Sequence, residues 1–289
     1  NNALGSNTTG SGNTAIGNQA LMANTTADNN TAVGRYALTA NTTGTGNASV
    51  GTESMTANTT GGSNTGIGGW SLAANTTGSN NTAVGHQALT ANTTASYGTA
   101  VGKSALGSNT TGAYNGAFGY ITLDHNTTGQ FNNAFGYNGL GANTTGDGNT
   151  AVGHSALGSN TTASNNTAVG LNALTAITTG AENVAVGAKS FDAATTASDT
   201  VCVGSEAGTA ITTGGSNVCL GYRAGDALTT GSNNVIIGSG ADVTGTGSAG
   251  QITIGKNVTG AGDNYFTFGL SNGSDRVYNY FTSNASWTR

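Results

Sequence analysis

Three histidines, two cysteines and twelve carboxylates are the obvious places to look for chemistry in this chain. His86 and His154 occupy equivalent places in a seventeen-residue repeat, four repeats apart. If each repeat is one stacked coil, they lie roughly 19 Å apart, too far to share a metal. A three-fold axis gathering copies of one histidine would be needed; His125 stands elsewhere in its repeat. Cys202 and Cys219 are seventeen residues apart, so they fall on adjacent coils. Their spacing of about 4.8 Å suits a disulfide, but parallel side chains fit that bond poorly, and two free thiols are expected. The acidic residues do not recur at fixed ligand positions, which argues against calcium-binding repeats. Gly10-Ser-Gly12 and Gly245-Thr-Gly247 lack the strand–helix setting of a phosphate loop. No nucleophile–base–acid set and no carboxylate pair emerges, so the expectation is no enzyme, no metal and no cofactor.

Recognition chemistry is better supplied. Arg35 and Tyr36, Glu53, Trp70, His86, Lys103, Tyr120, Tyr137, His154 and Tyr222 all follow the repeat glycine in slots where residue type varies. Tyr97, Tyr114 and Phe131 lie just before the next strand, and Tyr278, Tyr280 and Trp287 make the end of the chain aromatic. Variable aromatic side chains on an invariant scaffold suit sugar stacking and protein contact. Tyr36, Trp70, Tyr120, Tyr137, Tyr222, Tyr278, Tyr280 and Trp287 are therefore receptor-contact candidates. The plainer reading is that these slots are solvated turns tolerant of any residue.

What positions these residues is the repeat itself. Glycine falls at every multiple of seventeen from Gly17, Gly34 and Gly85 onward to Gly255, without insertion or deletion. A Thr-Thr pair keeps the same register from Thr8-Thr9 through Thr25-Thr26 to Thr229-Thr230, followed each time by Gly or Ala. Seventeen residues are too few for a helix-turn-helix unit, and Thr-Ala-Val and Asn-Thr-Thr are short β-branched segments separated by Gly, Asn and Ser. The prediction is an all-β parallel solenoid with one coil per repeat over 1–255, followed by a cap or trimer-locking tip at 256–289. After Gly255 the register breaks, and Phe266-Thr-Phe-Gly269 arrives after fourteen residues. A solenoid end needs covering, and a receptor-binding tip is the alternative reading of this segment.

Alternation along the strand separates Thr14 and Ile16 from Ala15. Because the first two become Val184 and Val186, Val201 and Val203, then Val235 and Ile237, they are expected to be core. Leu21 begins a second inward column that includes Leu38, Met55, Leu89 and Phe191. Asn24 begins a third that includes Asn92 and runs to Asn160, then changes to Ile177, Ala194, Ile211 and Leu228. The Leu column shrinks to Gly208 and Gly225 where the Asn column gains Ile211 and Leu228, suggesting that both fill one interior. Stacked amides would hydrogen-bond along that interior; the rival place for this column is a subunit interface. The small columns at Ala15 and Ala20 suit close approach by another surface, as in three chains packed side by side. Asn24-Thr25-Thr26 and its nine equivalents also match the glycosylation sequon, but an inward Asn could carry no glycan.

Composition limits the rest. Of 289 residues, 49 are Gly and none is Pro, and charged residues are 7% where about 25% is ordinary. A net charge of −5 with seven basic residues gives no nucleic-acid footprint, and no apolar run is long enough for a membrane-spanning helix.

The repeat N-T-A-V-G-x-x-A-L-x-x-N-T-T-G, as in Asn81–Tyr97, resembles the repeats of bacteriophage and prophage tail fibres. It is also similar, with a longer coil, to the head repeats of trimeric autotransporter adhesins. Asn234–Gly238, Gln251–Gly255 and the ending Ser283–Arg289 resemble the stretch that leads into a self-cleaving intramolecular chaperone. The resemblance implies a homotrimeric β-roll projecting from a virion and touching a host-cell receptor, glycan or protein, and a processed C-terminus. Asn1 falls inside the repeat pattern, so further coils or an attachment region are expected upstream. A bacterial surface adhesin or extracellular filament at the cell surface is the alternative, and an ice-binding solenoid built on the Thr files a more distant one.

Overall fold

The computed structural model describes residues 2–270 and 275–280. It is an all-β parallel solenoid that makes one coil for every seventeen residues. The chain divides into two compact units, Asn1–Gly148 and Asn149–Arg289. The N-terminal unit carries β1 (Thr14–Ile16), β2 (Thr31–Val33), β3 (Ala48–Val50), β4 (Thr65–Ile67), β5 (Thr82–Val84), β6 (Thr99–Val101), β7 (Gly116–Phe118) and β8 (Asn133–Phe135). The C-terminal unit carries β9 (Thr150–Val152), β10 (Thr167–Val169), β11 (Val184–Val186), β12 (Val201–Val203), β13 (Val218–Leu220), β14 (Val235–Ile237) and β15 (Ile252–Ile254). Within each unit the strands from β1 to β8 and from β9 to β15 pair in parallel with the next, each residue against the one seventeen later.

The turn glycines explain why the period tolerates no slippage. Gly85 has φ of +136°, and a methyl added there would lie 2.5 Å from the carbonyl oxygen of Gly102 on the following coil. Backbone meets backbone at this corner, so no side chain fits. Two and four residues later the chain enters the left-handed region again, at Gln87 (φ 61°) and Leu89 (φ 52°). A non-glycine residue pays about 1–2 kcal/mol for that conformation. At Leu89 the cost is offset by complete burial, which contributes about 1.5–3 kcal/mol.

The interior corrects the sequence-based assignment of the strand faces. The flanking strand residues, expected to be core, point outward: Ile16 is 61% exposed, Val203 is exposed, and Val184, Val186, Val201, Val235 and Ile237 are half-buried. The middle residue is the inward one, and Ala32, Ala83, Ala100, Ala168 and Ala185 are fully buried. Ala20 and its equivalents Ala37 and Ala88 are interior too, so the small columns face the opposite wall of their own coil and not a neighbouring chain. The reason is room. At Gly66, in the middle of β4, an added methyl would lie 3.0 Å from Met55 Cε across the lumen. The Leu21 column already fills that space, and only Ala, Ser or Gly fits opposite it.

Where the middle residue grows, the Leu column gives way. Methyls at Gly208 and Gly225 would lie 2.5 and 2.8 Å from the Sγ atoms of Cys202 and Cys219. Gly208 also faces Ile211 Cδ1 at 3.1 Å, so the volume it releases is taken by both the thiol and the Ile. Both cysteines are buried free thiols, paired in register on β12 and β13. Burial and a hydrogen bond with Cys219 push the Cys202 thiol well above its ordinary range, the hydrogen bond more strongly.

Two files of asparagine line the lumen. Asn24 is fully buried, and its amide nitrogen donates to Asn7 Oδ1 at 2.8 Å and to the Ala27 carbonyl at 3.1 Å. The pattern repeats through Asn75 onto Asn58 (2.7 Å), Asn92 onto Asn75 (2.8 Å) and Asn143 onto Asn126 (2.7 Å). The second file precedes each strand. Asn30 Nδ2 donates to the Gly44 carbonyl at 2.9 Å, and its Oδ1 accepts the backbone N–H of Asn47 at 2.9 Å. Beside the first file, Thr25 Oγ1 and its equivalents donate to the next coil's threonine carbonyl, as in Thr76 to Thr93 at 3.0 Å, whereas Thr26 is exposed.

In the C-terminal unit β16 (Tyr265–Gly269) continues the parallel ladder from β15, with Ile252 opposite Phe266. β17 (Arg276–Tyr280) then pairs antiparallel with β16, reversing the chain direction of the ladder. Arg276 Nη1 donates to the carbonyls of Thr259 (2.6 Å) and Gly260 (3.2 Å).

Candidate functional site

The slots after the repeat glycine lie at a corner where the backbone leaves the strand and turns left-handed, which throws their side chains outward. Tyr36, Glu53 and Trp70 share this place on successive coils, with φ of 57–58°. Equivalent side chains on neighbouring coils are then close enough to touch. Arg35 Nη2 donates to Glu53 Oε1 at 3.0 Å, and Trp70 Nε1 donates to Glu53 Oε2 at 3.1 Å. The Arg35 guanidinium lies 4.9 Å from the Tyr36 ring centre, and the His86 ring meets Trp70 edge-on, 5.2 Å between centres. Five side chains from four coils thus form one connected polar and aromatic surface.

A second aromatic group lies further along the same unit. Tyr97, Tyr114 and Phe131 stack plane to plane, with centres 5.0 and 5.2 Å apart and interplanar angles of 4° and 5°. Phe118 and Phe135 stack at 4.7 Å. Tyr120 and Tyr137 are tilted against each other at 5.8 Å, with the Lys103 ammonium 5.8 Å from the Tyr120 ring. Stacking covers both faces of Tyr114 and one face each of Tyr97 and Phe131.

The remaining candidates separate into three places. Tyr222 is exposed beside Arg223, which pairs with Asp226 at 2.9 Å and Glu206 at 3.5 Å. Those charges, Asp226 foremost, raise the Arg223 pKa. Tyr278 and Tyr280 on β17 are exposed and pack against Tyr265 at 5.9 and 4.9 Å. Trp287 lies outside the described residues. The ladder residues Gly17, Gly34, Gly85, Asn24, Asn92, Thr25, Thr26, Leu21 and Leu89 form the scaffold, and the buried Asn24 and Asn92 of the sequons face the lumen.

Along the sequence Arg35, Glu53, Trp70 and His86 stand as separate variable residues. Their successive spacings of eighteen, seventeen and sixteen, all close to one repeat, are the signal that they meet. Phe118 and Phe135 stand in the Ile16 column, where the structure turns side chains outward, so they too are aromatic side chains on the outer face of the strands.

Titrating groups elsewhere answer to burial. Asp242 is pushed up to about 6, chiefly by desolvation, while N–H donors from Val243 and Ala227 oppose the shift and Asp226 adds to it. Burial raises Asp124, and the adjacent His125 lowers it in part. Among the described residues no three His, Cys, Asp or Glu side chains group together as metal ligands, and no helix is long and apolar enough to cross a membrane. No family model matches the chain, and no curated protein matches it either.

Proposed function

We propose that this chain is a structural fibre protein, the shaft or tip region of a bacteriophage tail fibre, that assembles as a homotrimer and presents receptor-contact surfaces to a host cell. The observation that carries the reading is the separation of a constant frame from a varied flank. The turn glycine and the Thr-Thr pair repeat with the coil and the lumen draws on uncharged residues almost throughout, while the corner slots change from Arg and Tyr to Glu, Trp, His and Lys. Such a scaffold holds many different side chains at constant spacing without altering its fold, and several weak sites on one assembly raise avidity. The repeat's resemblance to tail-fibre sequences supports the same reading.

Self-association is supported by the outward strand residues. From β11 to β15 they are Val184, Val186, Val201, Val203, Val218, Leu220, Val235, Ile237, Ile252 and Ile254, a continuous apolar face half-buried or exposed in the single chain. Monomeric soluble proteins rarely present a patch of that kind, and flat copies of it would cover one another. Light scattering on the purified chain is expected to give three times the chain mass, and Val203→Glu to shift it towards the monomer. A wild-type monomer would refute the assembly. For recognition, fluorescent chain incubated with a panel of intact bacteria is expected to label a narrow subset of species; labelling none of them would refute the role.

A further inference from the structure

Among the exposed aromatic residues of the N-terminal unit, Trp70 is tied by a hydrogen bond to an ion pair. Tyr114 is stacked on both faces, by Tyr97 and by Phe131, and each of those rings gives up one face to it. Trp70 is fixed through its edge: an indole N–H donates in the ring plane, so the Glu53 carboxylate 3.1 Å away covers neither face, and the His86 ring, T-shaped against the indole at 5.2 Å between centres, takes up at most one. The ring remains 40% exposed while its orientation is set. Its neighbour on the same coil is Gly69, where an added methyl would rest in contact with His86 Cδ2 at 3.7 Å and the Thr52 carbonyl oxygen at 3.8 Å, so the glycine puts no side chain of its own beside the indole.

Polar groups suited to hydroxyls border this ring. Each Glu53 oxygen accepts one bond, from Arg35 or from Trp70, and a carboxylate oxygen has capacity for a further donor. The Arg35 side chain is 57% exposed, which places guanidinium N–H groups at the surface next to that carboxylate. The pair neutralises itself, so the surface offers donors and acceptors without net charge.

We propose that Trp70, Glu53 and Arg35, with His86 at the rim, form a binding site for an uncharged pyranose-containing saccharide. The apolar face of a sugar ring lies on the indole and its hydroxyls donate to Glu53 and accept from Arg35. The assignment rests on the host-recognition reading above and gives that recognition a ligand class and a place. A protein ligand would need a larger apolar area than one indole supplies, and an anionic glycan would meet an Arg35 already matched by Glu53.

The test uses the whole chain on an array of neutral and acidic glycans, with Trp70→Ala, Glu53→Gln and Tyr114→Asn alongside. Neutral glycans are expected to bind, Trp70→Ala and Glu53→Gln to weaken that binding about tenfold or more, and Tyr114→Asn to leave it unchanged. Circular dichroism identical to wild type keeps loss of binding distinct from loss of fold. Binding to no glycan, preference for acidic glycans, or binding that survives Trp70→Ala each overturns the site. A parallel cell-labelling arm, with and without periodate oxidation of surface sugars, separates the two readings. Labelling that persists after periodate and in Trp70→Ala would overturn the saccharide site while host recognition stands. Glycan binding lost in Trp70→Ala, with no bacterium labelled, would uphold the site and refute the host role.

Discussion

The N-terminal and C-terminal units wind the same coil around different interiors. In the first, the column beside Thr25 is an unbroken amide file, from Asn24 to Asn143. In the second, the same column keeps one amide, Asn160, and then holds Ile177, Ala194, Ile211 and Leu228, all fully buried. The backbone accommodates both because the adjoining threonine hydroxyls anchor the corner in either case: Thr76 to the Thr93 carbonyl at 3.0 Å, and Thr178 to the Thr195 carbonyl at 3.1 Å. Amide hydrogen bonds and apolar contact are therefore interchangeable fillings of one fixed frame. A file of amides is satisfied only when each member has both neighbours, whereas an Ile needs only volume.

The frame is where the largest effects are expected. Gly85→Ala in the N-terminal unit and Gly187→Ala in the C-terminal unit each place a methyl 2.5 Å from the next coil's backbone at φ near +135°. Both are expected to destabilise their unit by about 3–4 kcal/mol, from backbone strain together with overpacking. Chemical denaturation of the two variants would check this. Equal costs support a shared frame; a C-terminal variant that tolerates the methyl would break the comparison at its root.

The filling should separate the units. Asn75→Leu removes the donor to Asn58 Oδ1 and the acceptor of Asn92 Nδ2, leaving two buried polar groups short of a partner. The expected loss is about 2–3 kcal/mol, although Leu228 shows that a leucine fits this column elsewhere. Conversely, Ile211→Asn sets an amide between Ala194 and Leu228, with no amide above or below, and is expected to cost a similar amount. If either substitution proves neutral by denaturation, the files are not cooperative in the sense argued.

A pH difference sharpens the contrast, because the amide file carries no charge while Asp242 of the C-terminal unit titrates. Its carboxyl, raised to about 6 mainly by burial, holds its proton in the folded chain at pH values where the unfolded carboxyl has lost it. The folded state binds more protons between about 4 and 6, so this contribution to stability is present below that window and lost as pH rises through it. Asp242→Asn is expected to flatten the slope, gaining on wild type at about pH 7.5 relative to about pH 4.5. Thermal unfolding at the two pH values would read it, and an unchanged slope would contradict the assignment.

How far the sequence foretold this arrangement depends on the physics behind each column. The glycine and leucine columns were legible because their chemistry has one use: a backbone corner with no space, and a large side chain that must be buried. The strand faces were misread because hydrophobicity ranks Val above Ala, and nothing in Thr14-Ala15-Ile16 says how wide the lumen is. Lumen width follows from the coil's closure, visible only where Met55 approaches Gly66. The Arg35–Glu53–Trp70 cluster was hidden for a related reason, since its members belong to three coils and meet only once those coils are stacked in register.

The smallest expected effect concerns the aromatic file, and it decides whether those rings serve the frame. Tyr114 holds φ of 60°, a conformation that costs a bulky residue energy, and Asn165 occupies the same place in the C-terminal unit at φ 61°. Tyr114→Asn gives up two exposed ring stacks, worth about 1 kcal/mol together at a solvated surface. It also installs one of the non-glycine residue types that enter the left-handed region most readily, which returns a comparable amount. The net change is expected within about 0.5 kcal/mol by denaturation. A near-zero result means the frame does not require Tyr97, Tyr114 and Phe131, and that the two units differ here in what they present to solvent. A loss above about 2 kcal/mol would make the rings part of the structure and place this file with the interior columns.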